Sequence, residues 1–545
     1  MIKDDTGLII SDPERIASKF NEYFVEKVRL LRERTNRQPV IDPIQRLQTW
    51  LRNTEKSPPP FKLQSISRQR LRVLLKQMKG GKACGVDNID SFSLKLAAPL
   101  LEDALEHLIN LSINSSTFSS FWKPQLIFPL HKKSDKNLVE NYRPVSHLVE
   151  VGKLVEYEVF HQVLNHFVSN GLFHANHHGG LPNHSTTTAL IQLHNIFLEA
   201  AQSKRLTAAL LLDQSAAYDL LDHSILLRKL AVYNFDESSI SWFRSYLSGR
   251  SQAVQIQTKR SPLLWLDNHA APQGSVLGGL LFVIFENDFP ACRSKGDSVM
   301  FVDDDTDCVS SCDLKELREN IQSEAQNSCD WLNDNRMVVA GQKSKLLVVG
   351  TRELKRKLCI DGTGALSVIV DGKQVFESQS ERLLGITVNN SITWKDHLYG
   401  DGVNQGLIPQ LSQRVGILRQ LSKVASKEKL RNIAQGLFYS KLFYCLPLFV
   451  NTWGIDTYKE GISRHYSFTK KDLHKLQVLQ NQVSRLLINR GPLHECYLST
   501  AELLKLSGDL SVHQLGAVST ICLMKRVLMS GKPSYLAELI QNTIS

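Results

Sequence analysis

Hydrophobic and polar positions along the chain follow two rhythms. After Asp12-Pro13-Glu14, a helix start with a capping acid, a proline in the first turn and an acid near the positive end of the dipole, Ile16, Phe20, Tyr23, Phe24 and Val28 recur at helical spacing. Ser57-Pro58-Pro59-Pro60 interrupts any regular element, and Leu71, Leu74, Leu75 and Met78 then predict another amphipathic helix. Strand-like runs follow at Leu126–Leu130, Ala208–Leu212, Ala253–Ile256 and Leu346–Val349. The second of these is continuously apolar, as expected of a strand covered on both faces. Val299–Val302 and Cys308-Val309 flank the acids Asp303, Asp304 and Asp305, which predicts two strands joined by a tight turn. Leu314, Leu317, Ile321, Ala325, Cys329 and Leu332 line one face of a long helix, Leu383–Ile386 reads as a strand turn, and the chain beyond is helical in pattern.

A chain of 545 residues, 42% of them hydrophobic, buries large cores and is expected to divide into two to four domains. Its net charge of +11 favours a polyanionic partner. Nine cysteines show neither a CxxC pair nor zinc spacing, which predicts reduced, mostly buried thiols of an intracellular protein, cytoplasmic or nuclear and not secreted. No apolar run reaches the roughly 18–20 residues of a membrane span, and MIKDDTGLII lacks the basic segment of a secretory signal.

The acids carry the chemistry. Asp213 closes the apolar run Ala208–Leu212, and a carboxylate at the end of a buried strand is costly unless solvated, paired or metal-bound. Neighbouring carboxylates at the Asp303-Asp304 turn repel unless a cation sits between them, and Mg²⁺ is the economical one. If Asp213 lies beside Asp303 and Asp304 on one sheet, three carboxylates serve two divalent ions, an arrangement suited to in-line phosphoryl transfer. Nuclease and polymerase chemistry both fit. Lys132, Lys133 and Arg143 either grip a triphosphate or form a solvated basic turn. The loop 179–188 either caps the helix opening at Ala189 or serves a substrate, and Pro272–Gly279 is either a helix entry or a loop whose small residues admit a base or ribose. Gly80–Asp87 lacks the Gly-Lys-Ser/Thr ending of a phosphate loop. A late helix carrying Lys471, Lys475, Arg485 and Arg490 is either a solvated basic face or one laid against nucleic acid.

The blocks NYRPVS (141–146), GGLPNHSTTTAL (179–190), LLDQSAAYDLLDH (211–223), APQGSVLGGLLF (271–282), FVDDD (301–305), KSKLLVVG (343–350) and LLGI (383–386), in this order, resemble the reverse transcriptase of non-LTR, LINE-type retrotransposons. The resemblance implies an α+β right-hand polymerase of fingers, palm with an antiparallel sheet packed on helices, and helical thumb. Residues 1–60 would form a helical extension and linker, 61–400 fingers and palm, and 401–545 the thumb and C-terminal region. It implies an RNA-directed DNA polymerase using two Mg²⁺ ions, or Mn²⁺, with an RNA template, a DNA primer or target and dNTPs as partners, no membrane, and no indication of oligomeric state. Asp213 and Asp304 match the ligands bridging both metals and Asp303 the other member of the acidic pair. Tyr218 matches the ring that selects deoxynucleotides, and Gln273 and Gly274 the nucleotide-pocket loop. Lys132, Lys133 and Arg143 match the groups on the triphosphate, and Lys343 the lysine that would protonate pyrophosphate. The chain departs from the pattern at Gly179-Gly180-Leu181, where an Arg is missing, and at Ala340, Gln214 and Asp305. Asp305 is expected to add like charge at the site. These departures leave open a decayed copy that only binds RNA. The chain begins where the family's linker follows its endonuclease, so an isolated polymerase segment is expected.

Overall fold

The computed structural model describes residues 1–3, 6–35, 38–78, 80–81, 84–132, 134–266, 274–358, 366–450, 467–488 and 498–544. They form a mixed helix-and-sheet structure. The chain divides into two compact units. One comprises Met1–His174, Gln214–Cys292 and Gln326–Ala340, the other Ala175–Asp213, Arg293–Ala325 and Gly341–Ser545.

In the first unit the opening helix runs Pro13–Arg34, with Asp12 accepting from the Arg15 N–H at 2.9 Å. Its face of Ile16, Phe20 and Phe24 packs with Ile127 and Val254 of the unit's sheet. Asn21 fastens it there, donating to Ser261 Oγ at 3.0 Å and accepting from Gln252 Nε2 at 2.9 Å. That sheet runs in the order Tyr142–His147, Gln125–His131, Ser251–Ile256, Lys259–Arg260, with Leu264–Trp265 also on Ser251–Ile256. The second amphipathic helix spans Arg68–Gln77, one residue short of Met78.

The second unit is built on a six-stranded sheet in the order Ser367–Val370, Lys373–Ser378, Lys345–Val349, Leu206–Leu212, Asp304–Ser311, Asp297–Phe301. Leu206–Leu212 lies at its centre, antiparallel to both neighbours and buried except at half-buried Leu211, as its unbroken apolar run requires. Helix Thr186–Gln202 covers one face. Its Ala189, Leu190, Leu193 and Phe197 share a core with Ala209, Val299, Cys308 and Leu347. The hydroxyls of the loop before it act as caps, Ser185 and Thr188 forming a reciprocal capping box. The strand turn around Leu383 is a hairpin of Ser380–Leu383 and Ile386–Asn389, whose two turn residues, Leu384 (φ 45°) and Gly385 (φ 85°), are both left-handed.

Among the described cysteines Cys308, Cys329 and Cys445 are buried, Cys84 and Cys292 half-buried, and Cys312 and Cys522 exposed. All seven are free thiols, but burial is less general than the sequence implies, because Cys312 falls in the bend after strand Asp304–Ser311 and Cys522 on the solvent side of helix Val512–Ser530. Cys359, Cys496 and Arg490 lie outside the described residues. No described helix is long and apolar enough to cross a membrane.

Candidate active site

Asp297–Phe301 and Asp304–Ser311 pair as a hairpin in which Phe301 faces Asp304, so the turn is Val302-Asp303. Val302 has φ 61°. A positive φ at the first turn residue alone is the pattern of a type II′ turn, which favours glycine there, and a β-branched residue holds it under strain. Close packing supports the turn: a Cβ on Gly179 would meet Val302 Cγ2 at 2.3 Å and Val302 N at 2.4 Å. His178 N donates to Met300 O at 2.8 Å, and Met300 N to Asn176 O at 3.0 Å, so the segment before Gly179 edges the hairpin like an added strand. Gly179, seen in sequence as a departure, is the residue whose missing side chain permits this approach.

The ladder between Asp304–Ser311 and Leu206–Leu212 pairs Asp305 with Leu212. One step further stand Asp304 and Asp213, on the same face of the sheet by strand alternation. Opposed residues in such a ladder lie roughly 4.5–5.5 Å apart at Cα. Crowding by surrounding protein, then the charges of Asp303 and Asp213, push the Asp304 carboxyl up to about 6. Lys343 Nζ lies 3.6 Å from Asp213 Oδ1, and the Asp213 N–H donates to Ser344 Oγ at 3.4 Å. Beside Asp304 opens a cavity of about 320 Å³, walled by Leu190, Leu193, Leu211, Phe301 and Leu383 and edged by Arg382. Among the described residues no three or more His, Cys, Asp and Glu side chains converge closely enough to hold an ion by themselves. The donors are all oxygen and share an excess of negative charge. They fit a hard cation that takes part of its shell from substrate phosphates.

Asp305 corrects the expectation of added charge at this cluster. Alternation turns its side chain to the opposite face, where Arg293 pairs with it and, through Nε at 2.6 Å, with Asp307. The acids at i and i+2 on one strand were a readable sign that a cation is needed there. Nothing local in the sequence named Arg293 as that cation.

The remaining candidates belong to the first unit. Tyr218 follows left-handed Ala216 (φ 51°) in the short helix Ala217–Leu220, and its ring stacks on Phe282 at 4.7 Å between centroids. Gly274 (φ 94°) lies against Ser146 so closely that a Cβ would meet Ser146 O at 2.6 Å. That contact holds the loop on strand Tyr142–His147, which exposes Arg143. Lys132 N donates to Asn141 O at 2.8 Å, so Lys132 and Arg143 emerge at the same end of the paired strands. Lys133 and Gln273 lie outside the described residues. Sequence reasoning missed Glu156. From helix Glu150–Ser169 it accepts from Val276 N at 2.7 Å and Leu277 N at 3.3 Å, fixing the start of helix Leu277–Phe285. Burial pushes its carboxyl above the usual range, although Arg250 and these N–H groups favour the charged form.

Residues 130–388 match the family model described as reverse transcriptase (RNA-dependent DNA polymerase). The chain is 23% identical over 463 residues to the RNA-directed DNA polymerase from mobile element jockey of Drosophila melanogaster, covering 83% of this chain and 46% of that protein. It is 24% identical over 422 residues to the probable RNA-directed DNA polymerase from transposon BS of the same fly, covering 76% and 43%. A third relative there, the probable RNA-directed DNA polymerase from transposon X-element, is 24% identical over 423 residues, again covering 76% and 43%. The chain thus spans less than half the length of these relatives.

Proposed function

We propose, from the match of residues 130–388 to the reverse transcriptase model, that the chain is the polymerase segment of a non-LTR retrotransposon, extending a DNA primer on an RNA template with dNTPs inside the cell. The fold reading that goes with it is a right hand: fingers and palm within 61–400, a helical thumb after it. The observation that carries the proposal is the register that pairs Asp305 with Leu212, one step from Asp304 and Asp213, on the strand at the sheet's centre.

Asp213, Asp303 and Asp304 would hold Mg²⁺, which when bound activates the attacking 3′-hydroxyl and offsets charge developing on the leaving oxygens. The protein's own part is positioning and charge. The central ladder ends at Asp305 and Leu212 and so anchors Asp304 and Asp213 one residue beyond. Lys343, beside Asp213, is the cation that would carry a proton to departing pyrophosphate. Lys132, Lys133 and Arg143 would receive the triphosphate, Arg143 as a fork and the lysines as point charges. Gln273 and Gly274 would bring backbone close to the nucleotide. Tyr218, braced on Phe282, would exclude a 2′-hydroxyl by contact.

Primer extension on an RNA template, with dNTPs against rNTPs and with or without Mg²⁺, tests this. Expected is Mg²⁺-dependent incorporation of dNTPs, reduced on the order of 10²-fold or more in Asp304→Ala. No product from wild type, or equal product from the variant, overturns it. Salt-sensitive RNA binding without incorporation would identify a decayed copy instead.

A further inference from the structure

Three side chains meet on the hidden face of the hairpin. Arg293 is 2% exposed, Asp305 0% and Asp307 1%. Arg293 stands just before the hairpin's first strand, and both acids lie on its second strand, which pairs with Leu206–Leu212. The same short segment is tied down elsewhere: Ser294 N and Lys295 N donate to Glu324 at 3.0 and 2.5 Å, and Glu324 is itself fully buried in helix Leu314–Asp334. The backbone that carries the guanidinium is therefore fixed.

Two carboxylates cannot be buried on one strand face without compensation, since an isolated buried charge costs far more than a strand ladder returns. One guanidinium reaches both acids here, and only a planar fork with several donors can do so at fixed geometry. The ladder that ends at Asp305 and Leu212, one step short of Asp304 and Asp213, is the ladder whose other face holds this cluster. We infer that Arg293 is a positioning residue, holding Asp305 and Asp307 so that the strand keeps the register that presents Asp304. It does not touch substrate. The extra acids are then ion-paired on the hidden face and are not charge added beside Asp304. The activity part of this inference rests on the polymerase reading, whereas its charge-balance part does not.

The test uses the full chain. Arg293→Met leaves two buried carboxylates without their cation, and its unfolding equilibrium is expected to shift on the order of 10²-fold or more toward the unfolded state. Arg293→Met combined with Asp305→Val and Asp307→Val replaces the whole cluster by apolar side chains. It is expected to recover wild-type stability and incorporation to within about tenfold. Arg293→Lys keeps the charge and loses the fork, so kcat is expected to fall about tenfold while KM for dNTP stays within about twofold. A triple variant as unstable as Arg293→Met, or a single variant as stable as wild type, overturns the charge balance. A triple variant that is stable but inactive, or an Arg293→Lys effect confined to KM, overturns the positioning role. If wild type makes no product, the polymerase reading fails by itself and the unfolding series still decides whether Arg293 balances the two acids.

Discussion

Asp304 and Asp305 are neighbours in sequence with opposite surroundings. Asp304 shares its face with Asp213, and its carboxyl is lifted to about 6 by crowding and by like charge. Asp305, one residue on, is wholly buried and ion-paired with Arg293; burial first, and then the charge of Asp307, still hold its carboxyl above the ordinary range against that guanidinium. The same side chain meets other acids on one face of a strand and a buried guanidinium on the other. Crowded, like-charged acids open to a cavity are where functional sites cluster, which is why Asp304 and not Asp305 enters the proposed site.

The largest expected effect separates these two positions directly. Asp304→Asn should lose incorporation on the order of 10²-fold or more, because one of the oxygens proposed to hold the metal disappears. Its thermal stability should not fall, since a repelling charge goes with it. Asp305→Asn should keep incorporation within several-fold, leaving Arg293 paired with Asp307. Steady-state primer extension alongside thermal unfolding reads both, and equal losses from the two variants would erase the distinction between the faces.

Gly179→Ala probes how the two faces are held at the turn. The new methyl must enter space filled by Val302 Cγ2 and N, where overpacking typically costs about 1–3 kcal/mol. The predicted result is a lower Tm and a lower kcat, with displacement of the Val302-Asp303 turn visible as changed hydrogen exchange at Met300, whose carbonyl and N–H bind the segment before Gly179. An unchanged Tm would mean that the turn yields freely and does not set the carboxylate geometry.

Asp222, in the first unit, supplies another matched acid. Burial works against its charged form, but the Ser224 hydroxyl, Arg32, the Ile225 N–H and Arg336 outweigh it and hold its carboxyl at about 2, below the ordinary 3.8. Because the folded value is depressed, its stabilisation is present above pH 3.8 and is lost as pH falls toward 2. Its side chain is 4% exposed, and roughly 2 kcal/mol should therefore be missing from Asp222→Asn at neutral pH. The variant should also lose that part of the wild type's acid-dependent slope. An unchanged slope would mean that this acid is not matched as its contacts imply.

What the sequence disclosed follows the same division. The apolar run closing at Asp213 and the acids inside a strand–turn–strand pattern are local signals, and they locate the central strand and the hairpin. The edge hairpin Ser367–Val370 with Lys373–Ser378 also carries a local mark in its Asp371-Gly372 turn, both residues left-handed at 47° and 70°. Its parallel pairing with Lys345–Val349 leaves no such mark. Neither does Arg293 reaching Asp305 and Asp307, or Glu156 bonding Val276 across the fold. Such contacts are made between distant segments, and no periodicity of either segment encodes the other. Asp305 was misread for that reason: its charge was visible in sequence and its counter-charge was not.

The smallest expected effect concerns a polar group that is unmatched without being charged. Gln214 follows Asp213 where the resembled family has an apolar residue. Its side chain is 8% exposed, and neither amide atom has a hydrogen-bond partner among the described residues, although the backbone pairs with Val339. A buried amide left unpaired costs about 1–3 kcal/mol. Gln214→Met retains the length of the side chain and removes the two polar atoms, so the unfolding midpoint in urea should rise by an amount equivalent to about 1 kcal/mol, with kcat unchanged. If kcat falls while stability rises, the amide is held unpaired for a substrate or template group, and Gln214 joins Asp304 among the unbalanced groups the fold keeps for use. If stability falls instead, the amide is satisfied in solution, and the contrast narrows to the carboxylates of the hairpin.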